Sequence, residues 1–273
     1  MVWGSSFILI KKALIAFEPL EVASLRISIS ALAFTPFFFR HWTRVSALDW
    51  RALVIVGLCG SGIPAFCYAM AQTQISSITT GILNSLTPLF TLLIGVWFFS
   101  VTSHWLKYIG VIIGLLGAIF LIYFNYTASL QIDMIYALLI VLGTICYAIS
   151  GNVVKQYLNK IDSFTISVLS LSLLGLPALV ILLQTDVLIK LSNHSEAWFS
   201  LGAVVILALF GTVLASIVYF RLVQITSALF ASSVSYLIPM VAVILGFLDG
   251  EPVLAIQVAG MALIISGVYL TRR

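Results

Sequence analysis

Two prolines carry the first chemical signal in this sequence. Pro88 closes the run Asn84-Ser85-Leu86-Thr87-Pro88, and Pro239 closes Ser235-Tyr236-Leu237-Ile238-Pro239, 151 residues later. Each lies near the middle of a long apolar stretch, Ser76 to Gly95 and Ser227 to Gly246. Proline inside a helix lacks an N–H and displaces the carbonyl four residues earlier, here that of Asn84 and of Ser235. In hydrocarbon a freed backbone group must be buried in protein or line a wet cavity. The side chains of Asn84 and Ser235 can satisfy the local backbone or reach into such a cavity. They can also bond a neighbouring helix, an interaction worth well under about 2 kcal/mol. Tyr236 offers a further polar edge beside Ser235.

Arg26 is the one strong charge well inside an apolar stretch. Counted from Pro19 it lies about 10 Å into a hydrocarbon core of roughly 30 Å. A guanidinium at that depth is costly and usually faces the protein interior. Its planar donors suit a carboxylate or phosphate on a substrate. Snorkelling to the interface, or pairing with Glu21 or freed carbonyls, are the structural alternatives. Trp3 and Ser6 share a helix face, as do Tyr147 and Ser150. Turned inward, these faces offer aromatic walls and hydroxyls; turned outward, they pack or sit at interfaces. Tyr68 and Tyr219 lie closer to span ends and are placed at the periphery.

No enzyme constellation accompanies these residues. His41, His104 and His194 are far apart, and no pair has metal-ligand spacing. Neither a metal nor a cofactor is expected. Every acidic residue falls in a loop or near a span end, so proton coupling through a central carboxylate has no carrier. Facilitated efflux or exchange is the simpler mechanism.

The elements that position these residues follow from composition. Hydrophobic residues make up 62% of the chain and charged residues 8%, against about 25% charged in a soluble domain. Apolar runs near 1–17, 19–39, 52–71, 79–99, 105–124, 134–154, 164–183, 198–220, 228–248 and 253–271 predict ten transmembrane helices in an all-α integral membrane protein. Short alternating segments, the mark of a β-barrel, are missing. With a cytoplasmic N-terminus, the inner loops and ends carry Arg40, Arg44, Arg51, Lys107, Lys155, Lys160, Arg221, Arg272 and Arg273. The outer ones carry only Lys11, Lys12 and Lys190. That bias places both termini in the cytosol and explains the net charge of +4 without a nucleic-acid partner. Cys59 and Cys67 are eight residues apart on one helix, too far for a disulfide. The first apolar run lacks the features of a cleaved signal peptide.

The proline-centred stretches belong to a larger duplication. At an offset of 151, Gly60 meets Gly211, Tyr68 meets Tyr219, Ser76 meets Ser227 and Gly95 meets Gly246. Gly110 and Gly117 match Gly260 and Gly267 at 150; Trp3, Ser6 and Lys11 match Tyr147, Ser150 and Lys155 at 144. Each copy holds five helices, 1–127 and 131–272, and an odd number forces them into opposite orientations. Trp3 pairs with a residue some thirteen positions into its own span. The first helix is therefore expected to lack its opening turns, through a start upstream of Met1, the favoured reading, or through a chain that begins mid-membrane. Gly110, Gly114 and Gly117 form a small-residue stripe for close helix approach, within the monomer or in a homodimer.

In these features the chain resembles the EamA family of the drug/metabolite transporter superfamily. Trp3-Gly4-Ser5-Ser6-Phe7 with Lys11, Leu25-Arg26, the two prolines, and Glu251 with Gln257 and Gly260 carry the likeness. It departs at Val101, where the family often has a second glutamate matching Glu251. The resemblance implies a ten-helix inner-membrane carrier that exports or exchanges small metabolites such as amino acids. Matched interruptions then imply a midplane site between the copies, with Asn84, Pro88, Ser235, Tyr236, Pro239, Trp3, Ser6, Arg26, Tyr147 and Ser150 as its candidate lining. A non-transporting membrane protein, such as a receptor or assembly subunit, is the competing expectation.

Overall fold

The computed structural model describes residues 2–101, 105–127 and 134–272, and helix is the only regular structure among them. Helix α1 spans Val2–Ala13, shorter than the expected 1–17; its 12 residues rise about 18 Å. The chain turns through residues 14–17 and enters α2, Pro19–Trp42. Glu18 and Glu21 form a reciprocal capping box there, and Pro19 occupies the first turn, where no N–H is needed. Next come α3, Asp49–Ala71, and α4, Ser77–Phe99. They are followed by α5, Trp105–Thr127, α6, Met134–Tyr157, and α7, Ser163–Leu183. Asp162 caps α7 by accepting the Thr165 N–H at 2.9 Å. A seven-residue helix, α8 (Val187–Asn193), interrupts a connection expected to be a plain loop. Last are α9, Ala197–Ile225, α10, Ala228–Leu248, and α11, Ala255–Arg272.

Seven of these helices (α2, α3, α4, α6, α7, α9 and α10) are long and apolar enough to cross a bilayer. Tyr108–Gly117 in α5 and Ala255–Gly267 in α11 are shorter apolar stretches. The expected boundary between residues 127 and 131 lies outside the described residues.

Four of the long helices are irregular, and they fall in two matched pairs. Helix α3 widens into a π turn at Leu58–Gly62, and α9 does so at Leu209–Leu214. Helix α4 splits into Ser77–Asn84 and Thr87–Phe99. Helix α10 passes through a 3-10 turn at Ser233–Leu237 before resuming at Ile238. Pro88 and Pro239 each sit in the first turn of the resumed helix. There the absent N–H costs no hydrogen bond, so the prolines begin new helices rather than kink old ones. The carbonyl of Asn84 accepts the Thr87 hydroxyl at 2.7 Å, which satisfies it locally.

Packing repeats the same pairing. Helix α2 lies along α7, α4 against α10, and α5 against α11, while the α3–α6 contact is matched by α1–α9. The glycine stripe of α5 serves this intramolecular packing. A Cβ on Gly267 of α11 would strike the backbone of Gly110 and Gly114.

Candidate functional site

The matched irregularities meet around one central cleft. It encloses about 800 Å³ counted out to its open mouth, open solvent included. Its walls come from α1, α2, α3, α4, α6, α9 and α10. Among the described residues, helices α5, α7, α8 and α11 contribute nothing to it and pack outside.

Aromatic pairs build two of the walls, and each pair is the counterpart of the other. Trp3 of α1 meets Tyr219 of α9 edge-on, with ring centroids 5.1 Å apart. Tyr147 of α6 stacks on Tyr68 of α3 at 5.9 Å and 22°. The π turns permit the close approach behind them. A Cβ on Gly60 would come within 2.7 Å of the Ser150 Oγ, and one on Gly211 within 3.0 Å of the Ser6 Oγ. Trp3 Nε1 donates to the Gly211 carbonyl at 3.2 Å, tying the indole to the widened turn. Asn84 Oδ1 accepts the buried Tyr68 hydroxyl at 2.5 Å.

Arg26 is the only charged side chain on the described lining, and the position 144 residues on is Ser170. The symmetry therefore breaks at this charge. Its Nε donates to Thr212 Oγ1 in the second π turn at 2.8 Å, and its guanidinium also interacts with the Tyr147 phenol. Glu21, one expected partner, is engaged elsewhere, accepting Lys190 Nζ at 2.7 Å and the Glu18 N–H at 2.7 Å. Arg26 is 8% exposed, and among the described residues no carboxylate comes within 4 Å of it. Snorkelling does not describe it.

Of the ten candidates, Trp3, Ser6, Arg26, Asn84, Tyr147, Ser150 and Ser235 line the cleft. Pro88, Pro239 and Tyr236 do not. The prolines are buried and act on backbone path alone. Tyr236 is a correction. In a 3-10 turn each residue advances about 120°, so the neighbour of an inward Ser235 points aside; Tyr236 packs against the apolar core instead. Tyr68 and Tyr219, expected at the periphery, are both on the lining. The π turn ahead of each adds a residue and rotates the rest of the helix by roughly 100°. Ser61, Thr87, Thr212 and Ser216 join the lining without a sequence signal of their own. The pairing of Gly60 with Gly211 is the available signal for the widened turns. Cys59 lies beside Cys146 of α6, both as free thiols.

The family's sequence profile matches residues 1–123 and, again, 134–273, so two copies cover nearly the whole chain. The chain belongs to the EamA-like transporter family. An uncharacterized transporter of Archaeoglobus fulgidus is 25% identical over 99% of this chain and 95% of its own length. The uncharacterized inner membrane transporter YedA of Escherichia coli K12 is 28% identical over 99% of this chain and 87% of its own. A solved crystal structure at 15% identity superposes with a TM-score of 0.65, covering 98% of this chain and 92% of the other, which shows a shared fold.

One end of this EamA family member is clasped by charge. Lys11 bonds Asp249 at 2.7 Å and Glu251 at 2.9 Å, and Lys12 also pairs with Asp249. Glu251 further accepts the Ser77 hydroxyl and the Ser77 and Ile78 N–H groups at the start of α4. A carboxylate there satisfies orphan donors and the positive end of the helix dipole. Burial pushes the Glu251 carboxyl up, but hydrogen bonds from Lys11, Ser77 and Ile78 outweigh it and hold it below its ordinary value. Lys11 and Lys12 likewise hold Asp249 down. At the matched position Lys155 pairs with no acid among the described residues; it donates to the Gln224 and Thr226 carbonyls at 2.9 and 2.7 Å.

Proposed function

We propose that this chain is a secondary carrier with ten spans in two inverted five-helix repeats, 1–127 and 131–272. It resides in the cell inner membrane with both termini in the cytosol. Small metabolites, amino acids and related compounds among them, bind in the central cleft. Access then alternates as one bundle rocks against the other. The observation that carries this reading is the double pairing of irregular helices, π turns in α3 and α9 and breaks in α4 and α10, around one polar cleft. Irregular backbone at membrane depth is tolerated where it lines a cavity, and paired interruptions belong to alternating-access sites. A sealed bundle has no use for either. The YedA name supports the inner-membrane placement.

The reading is tested by counterflow in proteoliposomes with a panel of amino acids, nucleobases and small organic acids. Saturable exchange of at least one solute is expected, and an Asn84→Ala, Ser235→Ala double variant should lose most of it. Unchanged exchange in the double variant would remove these residues from the site. Absence of exchange across the panel would favour the receptor or assembly-subunit reading.

A further inference from the structure

We infer that the central cleft selects a small organic carboxylate with an aromatic or apolar body and no fixed positive charge. The inference rests on the carrier reading and narrows its substrate class to anions, which sets zwitterionic amino acids aside. Three independent features of the lining converge on it.

The first is charge. Arg26 is the one ionisable side chain on the described wall that is charged at neutral pH, and it is 8% exposed with no carboxylate within 4 Å among the described residues. A guanidinium carries five N–H donors in a fork. Thr212 takes the Nε donor and the Tyr147 phenol engages the guanidinium as well, contacts that hold the plane of the fork and leave further donors for a guest. Leaving such a charge without a counter-ion in a low-dielectric site is costly. A bidentate carboxylate relieves that cost with the strongest hydrogen bonds available.

The second feature is a pair of hydroxyls. Ser61 and Ser235 lie on the cleft wall, and a serine hydroxyl both donates and accepts. They offer neutral partners to a second oxygen on the guest.

The third is the shape of the apolar walls. The Trp3–Tyr219 and Tyr68–Tyr147 pairs present ring faces and edges on two sides. They suit a flat or branched apolar body. Among the described residues no acidic side chain lines the cleft to receive an ammonium group. A cation would therefore meet the like charge of Arg26 with only the ring faces to offset it, and a zwitterion would bring an ammonium that no carboxylate on the described lining matches.

Four compounds that share a phenyl group separate the charge classes: hippurate, an anion; hippuramide, its neutral amide; phenylalanine, a zwitterion; and phenethylamine, a cation. Binding to purified protein is read from tryptophan fluorescence, with Trp3→Phe as control because Trp3 is the one tryptophan on the described lining. Counterflow in proteoliposomes is read in parallel. Hippurate should bind and exchange saturably, while the other three compete at least about tenfold more weakly, the worth of one charge-assisted bond. Arg26→Gln should weaken hippurate by about tenfold or more and leave hippuramide within about twofold, with Arg26→Lys between.

Equal or tighter binding of phenylalanine, phenethylamine or hippuramide would overturn the anion assignment. So would hippurate binding that is indifferent to Arg26→Gln. In both cases saturable exchange of any of the four leaves the carrier reading standing. Hippurate binding that quenches Trp3 without exchange of any compound would uphold the site and sink the carrier reading. The charge series on the unaltered protein needs no variant to fold.

Discussion

Helices α4 and α10 have the same pattern, serine cap, apolar run, polar residue, proline, yet the protein holds them differently. In the most apolar part of α4, 61% of residues are buried, against 39% in α10. All of Ser77–Asn84 is buried, whereas only Ala228, Ala231 and Ser232 are buried in the matching first piece of α10. Ser76 and Ser227 both cap their helices through side-chain oxygen. Only α4 has a second cap among the described residues, the Glu251 carboxylate anchored by Lys11. Val101 stands in the place of that acid for α10. One backbone bond is shared at the two positions: Val101 N–H bonds the Gly95 carbonyl at 3.0 Å, and Glu251 N–H bonds that of Gly246 at 2.9 Å. The Glu251 carboxylate, deeper burial and a regular first piece in place of a 3-10 turn together separate the anchored broken helix from the loosely held one. Elements that move in a working protein come from the less buried, less protected part of its structure. By that criterion α10 is expected to be the more mobile wall of the cleft and α4 the less mobile one, an outcome that hydrogen exchange checks.

The comparison breaks most directly at Glu251. Glu251→Ala removes a carboxylate that is 7% exposed and strands Ser77, Ile78 and Lys11. Stability in detergent should fall by about 2–3 kcal/mol, moderated because Lys11 reaches solvent. The pH profile supplies a second readout. Asp249 and Glu251 both titrate below their ordinary values of 3.8 and 4.5 in the folded protein. Their contribution is therefore complete above those values and lost as pH falls through the lower, folded ones. Thermal melts should show this acid-side loss in the parent protein and a reduced loss in the variant. A change below about 0.5 kcal/mol, the level of an ordinary surface substitution, would erase the difference between the two helices.

A smaller contrast is expected at the polar residues before the prolines. Asn84→Ala leaves the buried Tyr68 hydroxyl without its acceptor and should cost about 1–3 kcal/mol. Ser235→Ala, on the looser helix, should stay within about 0.5 kcal/mol. Equal costs in chemical or thermal unfolding would argue that the two breaks are held alike.

The smallest effect sharpens the comparison from the other side. Carried through the repeat offsets, the Glu251 contacts to Ser77, Ile78 and Lys11 correspond to Ala228, Leu229 and Lys155, so Val101→Glu is expected to supply the missing cap. It should stabilise by about 0.3–1 kcal/mol and slow amide hydrogen exchange across Ala228–Leu248 towards that of Ser77–Phe99. Exchange that remains unchanged, with the acid ionised, would show that burial alone sets the mobility of α10.

Much of this is legible in the sequence because the relevant signals are local. The apolar stretches, the breaks at Pro88 and Pro239, and the pairing of Trp3 with Tyr147 and of Gly60 with Gly211 need no knowledge of packing. Seven of the ten candidate residues stand on the cleft, chiefly those chosen for a polar or aromatic group at a matched depth. Tyr236 misleads because adjacency in sequence says nothing about direction around a 3-10 turn. Tyr68 and Tyr219 mislead because nearness to a span end says nothing about direction, and the π turn ahead of each turns it to face the cleft.

By itself, then, the sequence determined the membrane class, the internal duplication, the places where the helices break, and the presence of one deep arginine. Hydropathy, proline and repeat spacing are properties of the chain, independent of what it folds against. The tertiary structure decided which way each helix face turns. It brought Thr212 to Arg26 and Glu251 to the start of α4, and it crossed the aromatic pairs between the two family segments. Helix rotation is set by packing against neighbours and by the extra residue in each π turn, and neither leaves a periodic trace in the sequence.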